Sequence, residues 1–199
     1  MKRLGAVNRF SATCGVATCC VVVVTAVAAT VAPQMAAAAG TPALAAGENL
    51  PVPHHLTLAD HSARTLSVER AALRYAAFWN TGDEDYARRS LSDDFVDRTL
   101  PAGRAPGLEG ALQASKAFRA AVPDLTSEVD DMTVVGDRAL LHLHFKGHFT
   151  GQFKGVQGDN QTVDFQAFDL YRVQDGKIAD NWHLEDNLTL LRQLGVIKQ

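Results

Sequence analysis

Two side chains near the end of the chain, Asp169 and His183, have the types and spacing that could support proton-transfer chemistry. They lie within residues 163–195, VDFQAFDLYRVQDGKIADNWHLEDNLTLLRQLG, where they interrupt alternating apolar residues. The Asp175-Gly176 pair is typical of a tight hairpin turn, so two paired strands are predicted around it. A carboxylate and an imidazole facing each other across a pocket can pass protons, because an imidazole titrates near neutral pH.

Both residues also have a purely structural interpretation. Asp169 shares its face of the strand with apolar residues, so it is expected to be buried and must be paired. A backbone group or Arg98 could be that partner. His183 shares its face with Asn181 and Glu185, and no site would exist if that face pointed away from the pocket.

The N-terminal segment has the pattern of an export signal. Three basic residues precede an apolar run over residues 12–32, and small residues follow at about 36–39. We therefore expect residues 1–39 to be a signal peptide and the protein to be secreted or held in the cell envelope. The run is also long enough to serve as an uncleaved membrane anchor.

Composition excludes several classes of function. All three cysteines lie in this leader, so disulfides, cysteine nucleophiles and cysteine metal sites are not expected in the rest of the chain. Removing the three basic residues of the leader from a chain with 19 basic and 22 acidic residues leaves a net charge of −6. A mildly acidic exported protein is a poor partner for nucleic acid or, once the signal is cleaved, for a membrane.

The remaining chain divides into a linker and one domain. Residues 40–64 are rich in Ala, Pro and Gly and lack periodicity, which predicts a flexible linker. Residues 65–199 show helical spacing of apolar residues first and strand spacing afterwards. The predicted helices run through residues 68–79, 86–91 and 108–122, capped by Thr65 or Ser67 and by Asp83. Predicted strands cover 128–135, 139–150 and the hairpin, and this order predicts an α+β fold.

Four segments of the domain carry a family resemblance: FWNTGDEDYARRSLSDDFVDR, PGLEGALQASKAFRAAVPDL, GHFTGQFKGV and FDLYRVQDGKIADNW. In this order and spacing they resemble the SnoaL-like polyketide cyclase family of the nuclear-transport-factor-2-like superfamily. The resemblance covers residues 68–195. It implies a cone, in which a strongly curved antiparallel sheet packs on about three helices around a deep apolar pocket. It also implies a homodimer paired through the sheets.

The resemblance implies a chemistry as well. Such cyclases close a ring by an intramolecular aldol reaction on a polyketide ester without metal or cofactor, using a pocket aspartate as general acid/base. That aspartate corresponds to His183 in this chain, and the family's pocket histidine corresponds to Asp169. The polar residue after the second helix corresponds to Asp97, which Arg98 follows. The two acid/base residue types are thus exchanged between the strands.

Four residues are expected to bind the substrate: Asp97, Arg98, Tyr75 and Trp182. Asp97 and Arg98 would polarise a carbonyl group. The simpler interpretation of Asp97 is a turn or capping residue, and that of Trp182 is packing within the sheet or a dimer face.

A metal site is the weaker alternative. His142 and His144 occupy alternate positions of a strand, which puts both rings on one face. A further ligand would have to come from Glu128 or Asp130 on a neighbouring strand, and Lys146 favours a polar outer face instead. The glycines of residues 151–158 lack the strand-to-helix setting of a phosphate or dinucleotide loop. We expect neither metal nor cofactor.

Two functional hypotheses follow. The first is a cofactor-independent acid/base enzyme of cyclase or isomerase type that acts on a small hydrophobic carbonyl or ester compound, with His183 as proton shuttle and Asp169 as its partner. The second is a non-catalytic module that holds a small molecule, or another protein, in the same pocket. The enzyme requires Asp169 and His183 within hydrogen-bond reach of each other, or of one substrate atom, inside an open cavity.

Overall fold

A computed structural model describes residues 48–198 of the chain. The predicted signal peptide, with all three cysteines, and the first part of the predicted linker lie outside the described residues. Within residues 48–198, no helix is both long enough and apolar enough to cross a membrane.

The helices begin at polar caps. They are α1 (Ala63–Thr81), α2 (Glu84–Ser90), α3 (Gly107–Ala121) and α4 (Asn187–Gln193). Asp83 caps α2 as predicted, with its side chain accepting from the Asp85 N–H. The cap of α1 is Ser62, not the predicted Thr65 or Ser67. Thr65 is drawn into the first turn because its hydroxyl donates to Asp60 at 2.6 Å, so the helix starts earlier than its apolar spacing indicates.

The strands are β1 (His55–Leu58), β2 (Leu91–Asp97), β3 (Thr126–Val135), β4 (Arg138–Phe149), β5 (Gln152–Phe153), β6 (Val156–Gln157), β7 (Gln161–Gln174) and β8 (Lys177–Glu185). Six of them form one sheet in the order β1-β3-β4-β7-β8-β2, while β5 and β6 pair separately. The four central strands are antiparallel, whereas the edge strands β1 and β2 run parallel to their neighbours.

Residues 48–64 belong to the fold, so the predicted flexible linker is wrong over this part. β1 pairs with β3 over four residues, and Glu48 accepts from Arg74 of α1 at 3.0 and 3.1 Å. Leu58 packs against the core. A short strand with weak apolar alternation is ordered here because its backbone groups pair with an open sheet edge.

The core lies between the inner face of the sheet and the helices. Alternate residues of the central strands are buried, as Leu141, Leu143 and Phe145 of β4 show, and α1 packs Val68, Tyr75 and Phe78 against them. Alternation of this kind is what a sheet covered on one face requires. The predicted α+β fold, a curved sheet packed on three helices, is confirmed.

The hairpin between β7 and β8 sets the register on which the site depends. Asp175 and Gly176 have φ values of 50° and 76°, the left-handed pair that a two-residue hairpin turn needs. A β-bulge at Ala179 then shifts the register by one residue, and Asp169 pairs with His183.

Helix α3 approaches the loop of residues 98–106 so closely that a Cβ on Gly110 would lie 1.8 Å from the Ala105 carbonyl oxygen. Gly110→Ala is therefore expected to lower the free energy of unfolding by about 1–3 kcal/mol, the usual cost of overpacking. In an unconstrained helix interior the same change stabilises by about 0.5–1 kcal/mol. Urea denaturation gives the sign, and a stabilised variant would contradict the close approach.

Candidate active site

A narrow cavity of about 60 Å³ opens between the inner face of the sheet, α1, α3 and the loop of residues 98–106. Aromatic rings form much of its wall, namely Tyr75, Trp79, Phe95, Phe118, Phe145 and Phe165. The polar lining consists of Asp97, Arg104, Asp169, Asn181, His183 and Glu185. An apolar wall with a few convergent polar groups is the usual composition of a small-molecule site.

Asp169 and His183 meet inside this cavity. One carboxylate oxygen of Asp169 lies 2.9 Å from Nδ1 of His183, and the other accepts from the Tyr171 hydroxyl at 2.9 Å. The Asp169 side chain is 2% exposed, while that of His183 is 29% exposed. The geometric condition of the enzyme hypothesis is therefore met, because the two side chains are within hydrogen-bond distance of each other and both line the cavity.

The protonation state of His183 differs from the near-neutral titration expected from the sequence. Burial lowers the pKa of His183, but hydrogen bonds to Asp169 and Glu185 and the charges of both carboxylates outweigh it and raise the pKa to about 10. At neutral pH the ring is therefore an imidazolium with two N–H donors. It is suited to donate a hydrogen bond or a proton, and a different group must act as base.

Two tyrosines keep their protons beside this pair. Burial, and then the charge of Asp169, raises the pKa of both Tyr75 and Tyr171 above the usual range of a phenol. Tyr171 uses its proton to hold Asp169. Tyr75 lines the cavity, and its role in substrate binding stays a prediction.

Two further residues of β8, Asn181 and Glu185, face the cavity, although the sequence predicts no role for either. Glu185 Oε2 lies 3.4 Å from Nε2 of His183. Asn181 is 5% exposed, and its side-chain oxygen has no hydrogen-bond partner among the described residues. A buried amide is rarely left unpaired, so a ligand is the natural partner. The signal was present in the sequence, since both residues alternate with His183 on one face of the strand.

Asp97 lines the cavity, but its carboxylate is hydrogen-bonded to the loop of residues 98–106. Its Oδ1 accepts from both the backbone N–H and the hydroxyl of Thr99 at 2.9 Å. The Thr99 hydroxyl oxygen in turn accepts from the backbone N–H of His183 at 2.9 Å. The turn interpretation of Asp97 is the one that these contacts favour, and through Thr99 the loop is joined to the strand that carries the imidazole.

Arg98 and Trp182 do not line the cavity, which corrects their expected role in substrate binding. Arg98 Nε donates to Asp180 at 2.6 Å. Trp182 lies on the outer face of the sheet, where the Arg138 guanidinium sits 5.2 Å from its ring centroid. The physical reason is the alternation of a strand: Trp182 follows Asn181 and precedes His183, so its side chain must point the other way.

The curved antiparallel sheet, packed on helices with an aromatic cavity between them, defines a nuclear-transport-factor-2-like fold. The family model described as SnoaL-like polyketide cyclase matches residues 69–194. The chain belongs to this family, as its sequence segments indicated.

Solved structures agree with this assignment. A protein from Bacillus cereus ATCC 10987 is 39% identical with a TM-score of 0.68, and the match covers 76% of this chain and 97% of that one. IdmH from Streptomyces antibioticus is 27% identical with a TM-score of 0.57, covering 64% of this chain and 98% of its own. Both are described as "putative polyketide cyclase". TsrD from Streptomyces laurentii is 27% identical with a TM-score of 0.60, covering 66% and 97%. No curated protein sequence matches the chain.

Proposed function

We propose that the protein is a cofactor-independent cyclase or isomerase that forms an enolate from a small hydrophobic carbonyl or ester compound. The observation that carries this proposal is the imidazole ring of His183, held by the buried Asp169 at 2.9 Å within an aromatic cavity. Membership of the SnoaL-like family supports the same class of reaction. The exchange of His and Asp between the strands changes which group donates and which accepts the proton.

In this proposal His183 and Asn181 hold the substrate oxygen. Nε2–H of His183 and the Asn181 amide both face the cavity, and both can donate to a carbonyl oxygen. As the α-proton leaves, negative charge develops on that oxygen, and a fixed cation with a fixed dipole stabilises it more than water would. Asp169 acts as a positioning residue, because its two carboxylate oxygens are engaged by His183 and Tyr171.

Glu185 is the proposed base. Its contact of 3.4 Å with Nε2 of His183 is long for a charged pair, so a substrate carbonyl can take over the N–H and release the carboxylate. Glu185 then accepts the α-proton, and the C–H electron pair becomes the enolate. In a cyclisation, the enolate carbon bonds to a second carbonyl carbon of the same molecule, and the resulting alkoxide recovers the proton from Glu185.

Solvent deuterium exchange into the methyl group of acetophenone, followed by NMR, tests enolate formation directly. The wild-type protein is expected to accelerate this exchange, and Glu185→Gln to slow the catalysed rate about 100-fold, the lower end for loss of a general base. Glu109→Gln removes an exposed carboxylate outside the cavity lining and should change nothing. Absence of acceleration by the wild type, or equal loss in both variants, refutes this assignment of the base.

Asn181→Leu separates binding from folding. Because the Asn181 amide oxygen is unpaired, an apolar side chain of similar size should leave the free energy of unfolding unchanged or slightly raised. The catalysed exchange of acetophenone should fall at least tenfold, since one donor to the enolate oxygen is lost. Parallel urea denaturation and exchange measurements check both parts; a destabilised variant with normal exchange would show that Asn181 is structural.

A non-catalytic binding role is the alternative, favoured by one observation: both ring nitrogens of His183 already face carboxylates. In that case a hydrophobic compound would bind and be released unchanged. Native mass spectrometry of the purified protein, with analysis of any compound that co-purifies, distinguishes the two roles when wild type and Glu185→Gln are compared.

We also propose that two copies pair through the outer face of the sheet, as the family resemblance implies. Leu140, Phe168 and Leu184 expose 46%, 46% and 74% of their surface there. Such a row of apolar side chains on a folded sheet is typical of an interface. Analytical ultracentrifugation should give a dimer for the wild type and a monomer for Phe168→Glu, while a wild-type monomer would contradict the proposal. Export of the protein stays a prediction from its leader.

A further inference from the structure

Histidine and carboxylate side chains gather on the outer face of the sheet, on the side opposite the cavity. Nδ1 of His54 lies 3.3 Å from Asp130 Oδ1, and Nδ1 of His144 lies 3.7 Å from Asp130 Oδ2. Possible ligand atoms of His54, Glu128 and Asp130 all lie within 4.8 Å of one another. We call these four residues, His54, Glu128, Asp130 and His144, the outer cluster.

A β-bulge in β3 builds this cluster. The pairing of β3 with β4 shifts register between Val129 and Asp131, which leaves Asp130 as the extra residue. A bulge re-aims side chains, and here the Asp130 carboxylate turns toward the outer histidines of β4. His54 reaches the same point because its backbone N–H donates to the Val129 carbonyl at 2.9 Å. His54 falls within residues 40–64, which the sequence predicts to be a linker, so its place beside β3 was not predictable from the sequence.

The histidine of β4 is held in the orientation that a metal ligand needs. Nε2 of His144 lies 2.6 Å from Asp164 Oδ1. The proton of a neutral ring therefore resides on Nε2, and the lone pair lies on Nδ1, which faces Asp130. Metal-bound histidines almost always donate their second N–H to such an acceptor. Asp164 is therefore the acceptor that orients the His144 ring, without being a ligand of the metal ion itself.

We propose that the outer cluster binds a divalent transition-metal ion of the zinc type, with Nδ1 of His54 and His144 and the carboxylates of Asp130 and Glu128 as ligands. Bonds of about 2.1 Å place neighbouring ligands of a tetrahedral zinc ion about 3.4 Å apart. Nδ1 of His54 lies 3.3 Å from Asp130 Oδ1, close to that value, and Nδ1 of His144 lies 3.7 Å from the other oxygen of the same carboxylate. The ligand atoms of His54, Glu128 and Asp130 form the mutually close set, to which the proposal adds His144 as the fourth ligand.

The chemistry of the ligand set agrees with its geometry. Two imidazoles with two carboxylates suit Zn²⁺, Ni²⁺ or Cu²⁺, whereas Ca²⁺ and Mg²⁺ prefer oxygen ligands alone. Two neutral rings and two carboxylates also balance a double positive charge. In the single chain the His54 and Glu128 side chains are 59% and 46% exposed, so an ion can reach the site from solvent without passing through the cavity.

Replacing Lys146 should strengthen binding of the metal ion, whereas replacing a ligand should weaken it. The Lys146 ammonium group donates to Glu128 at 2.9 Å and so competes with a metal ion for that carboxylate. Lys146→Met should release Glu128 and tighten Zn²⁺ binding about threefold or more. A cluster that merely tolerates loosely bound zinc on its surface would not respond to this change.

Equilibrium dialysis of the purified full chain against Zn²⁺, after removal of metal with EDTA, tests the site. We expect one Zn²⁺ per chain, at least tenfold weaker binding in Asp130→Asn and in His54→Ala, and unchanged binding in His148→Ala. His148 is a matched control because it lies on the same strand and pairs with a carboxylate, Asp124, at 2.7 Å. Circular dichroism verifies that each variant is folded.

Three results would overturn the proposal. They are no bound Zn²⁺ in the wild type, the same loss in His148→Ala as in His54→Ala, or unchanged affinity in both Asp130→Asn and Lys146→Met. Replacement of Zn²⁺ by Co²⁺ gives a second readout, since the visible absorption of the ion reports tetrahedral coordination by nitrogen and oxygen. That absorption should be lost in Asp130→Asn.

Discussion

Asp169→Asn is expected to lower the pKa of His183 from about 10 by about 1–3 units, the usual effect of losing an opposite charge within hydrogen-bond distance. The amide keeps the shape of the carboxylate but removes the charge that favours the imidazolium. NMR titration of the His183 ring measures the shift. Glu185→Gln should have the smaller effect, because its contact is 3.4 Å against 2.9 Å for Asp169. An unchanged titration in Asp169→Asn would show that the pair is not electrostatically coupled.

Because folding raises the pKa of His183, the free energy of unfolding is expected to decrease as the pH rises toward 10. A group whose pKa is raised by folding stabilises the folded state most below its unfolded pKa, which is 6.5 for His183. This contribution is lost as the pH rises through about 10. The difference in free energy of unfolding between wild type and His183→Gln, measured in urea, should therefore shrink from pH 6 to pH 10. A difference that grew from pH 6 to pH 10 would contradict the raised pKa of His183.

Asp180→Ala is expected to lower the free energy of unfolding by about 2–3 kcal/mol. The Asp180 side chain is 2% exposed and binds two guanidinium groups, those of Arg98 and Arg172. Loss of one partner from a fully buried pair costs about 3–5 kcal/mol. The expected value is lower here because Arg98 is half-exposed and can turn to water. Chemical denaturation gives the number, and Asp94→Ala, at an exposed position of β2, is the control.

Asp180 also predicts behaviour in acid. Burial raises the pKa of Asp180, but the hydrogen bonds and charges of the two arginines outweigh it, so the net shift is downward from 3.8. A lowered pKa means stability that is present above pH 3.8 and lost as the pH falls. Wild type should therefore lose more stability than Asp180→Asn between pH 5 and pH 3, and equal slopes would contradict this assignment.

The fold could be predicted because its signals are local. The apolar period changes from helix to strand spacing near Leu125, and the Asp175-Gly176 turn fixes where β7 ends and β8 begins. Those features need no knowledge of distant contacts. The edge strand β1 escaped prediction for the opposite reason: its order comes from pairing with β3, and its own residues carry no strong pattern.

The site was only partly predictable, and the bulge at Ala179 explains why. Continuing the register of the turn, Gln174 with Lys177, without a bulge would place Trp182 opposite Asp169. The extra residue brings His183 there instead. Asn181 and Glu185 alternate with His183 in the sequence, but without the bulge the face that these three residues share would point away from Asp169. The family correspondence identified His183 and Asp169, but not the groups beside them.

The backbone N–H of His183 donates to Thr99 Oγ1 at 2.9 Å. This hydrogen bond makes opening of the loop measurable. A bonded amide hydrogen exchanges with deuterated water when its hydrogen bond opens. Since Thr99 belongs to the loop over the cavity, the exchange rate of this single amide measures how often that loop separates from β8. A bound ligand that holds the loop closed would slow the exchange, so occupancy of the cavity can be followed without knowing the identity of the ligand.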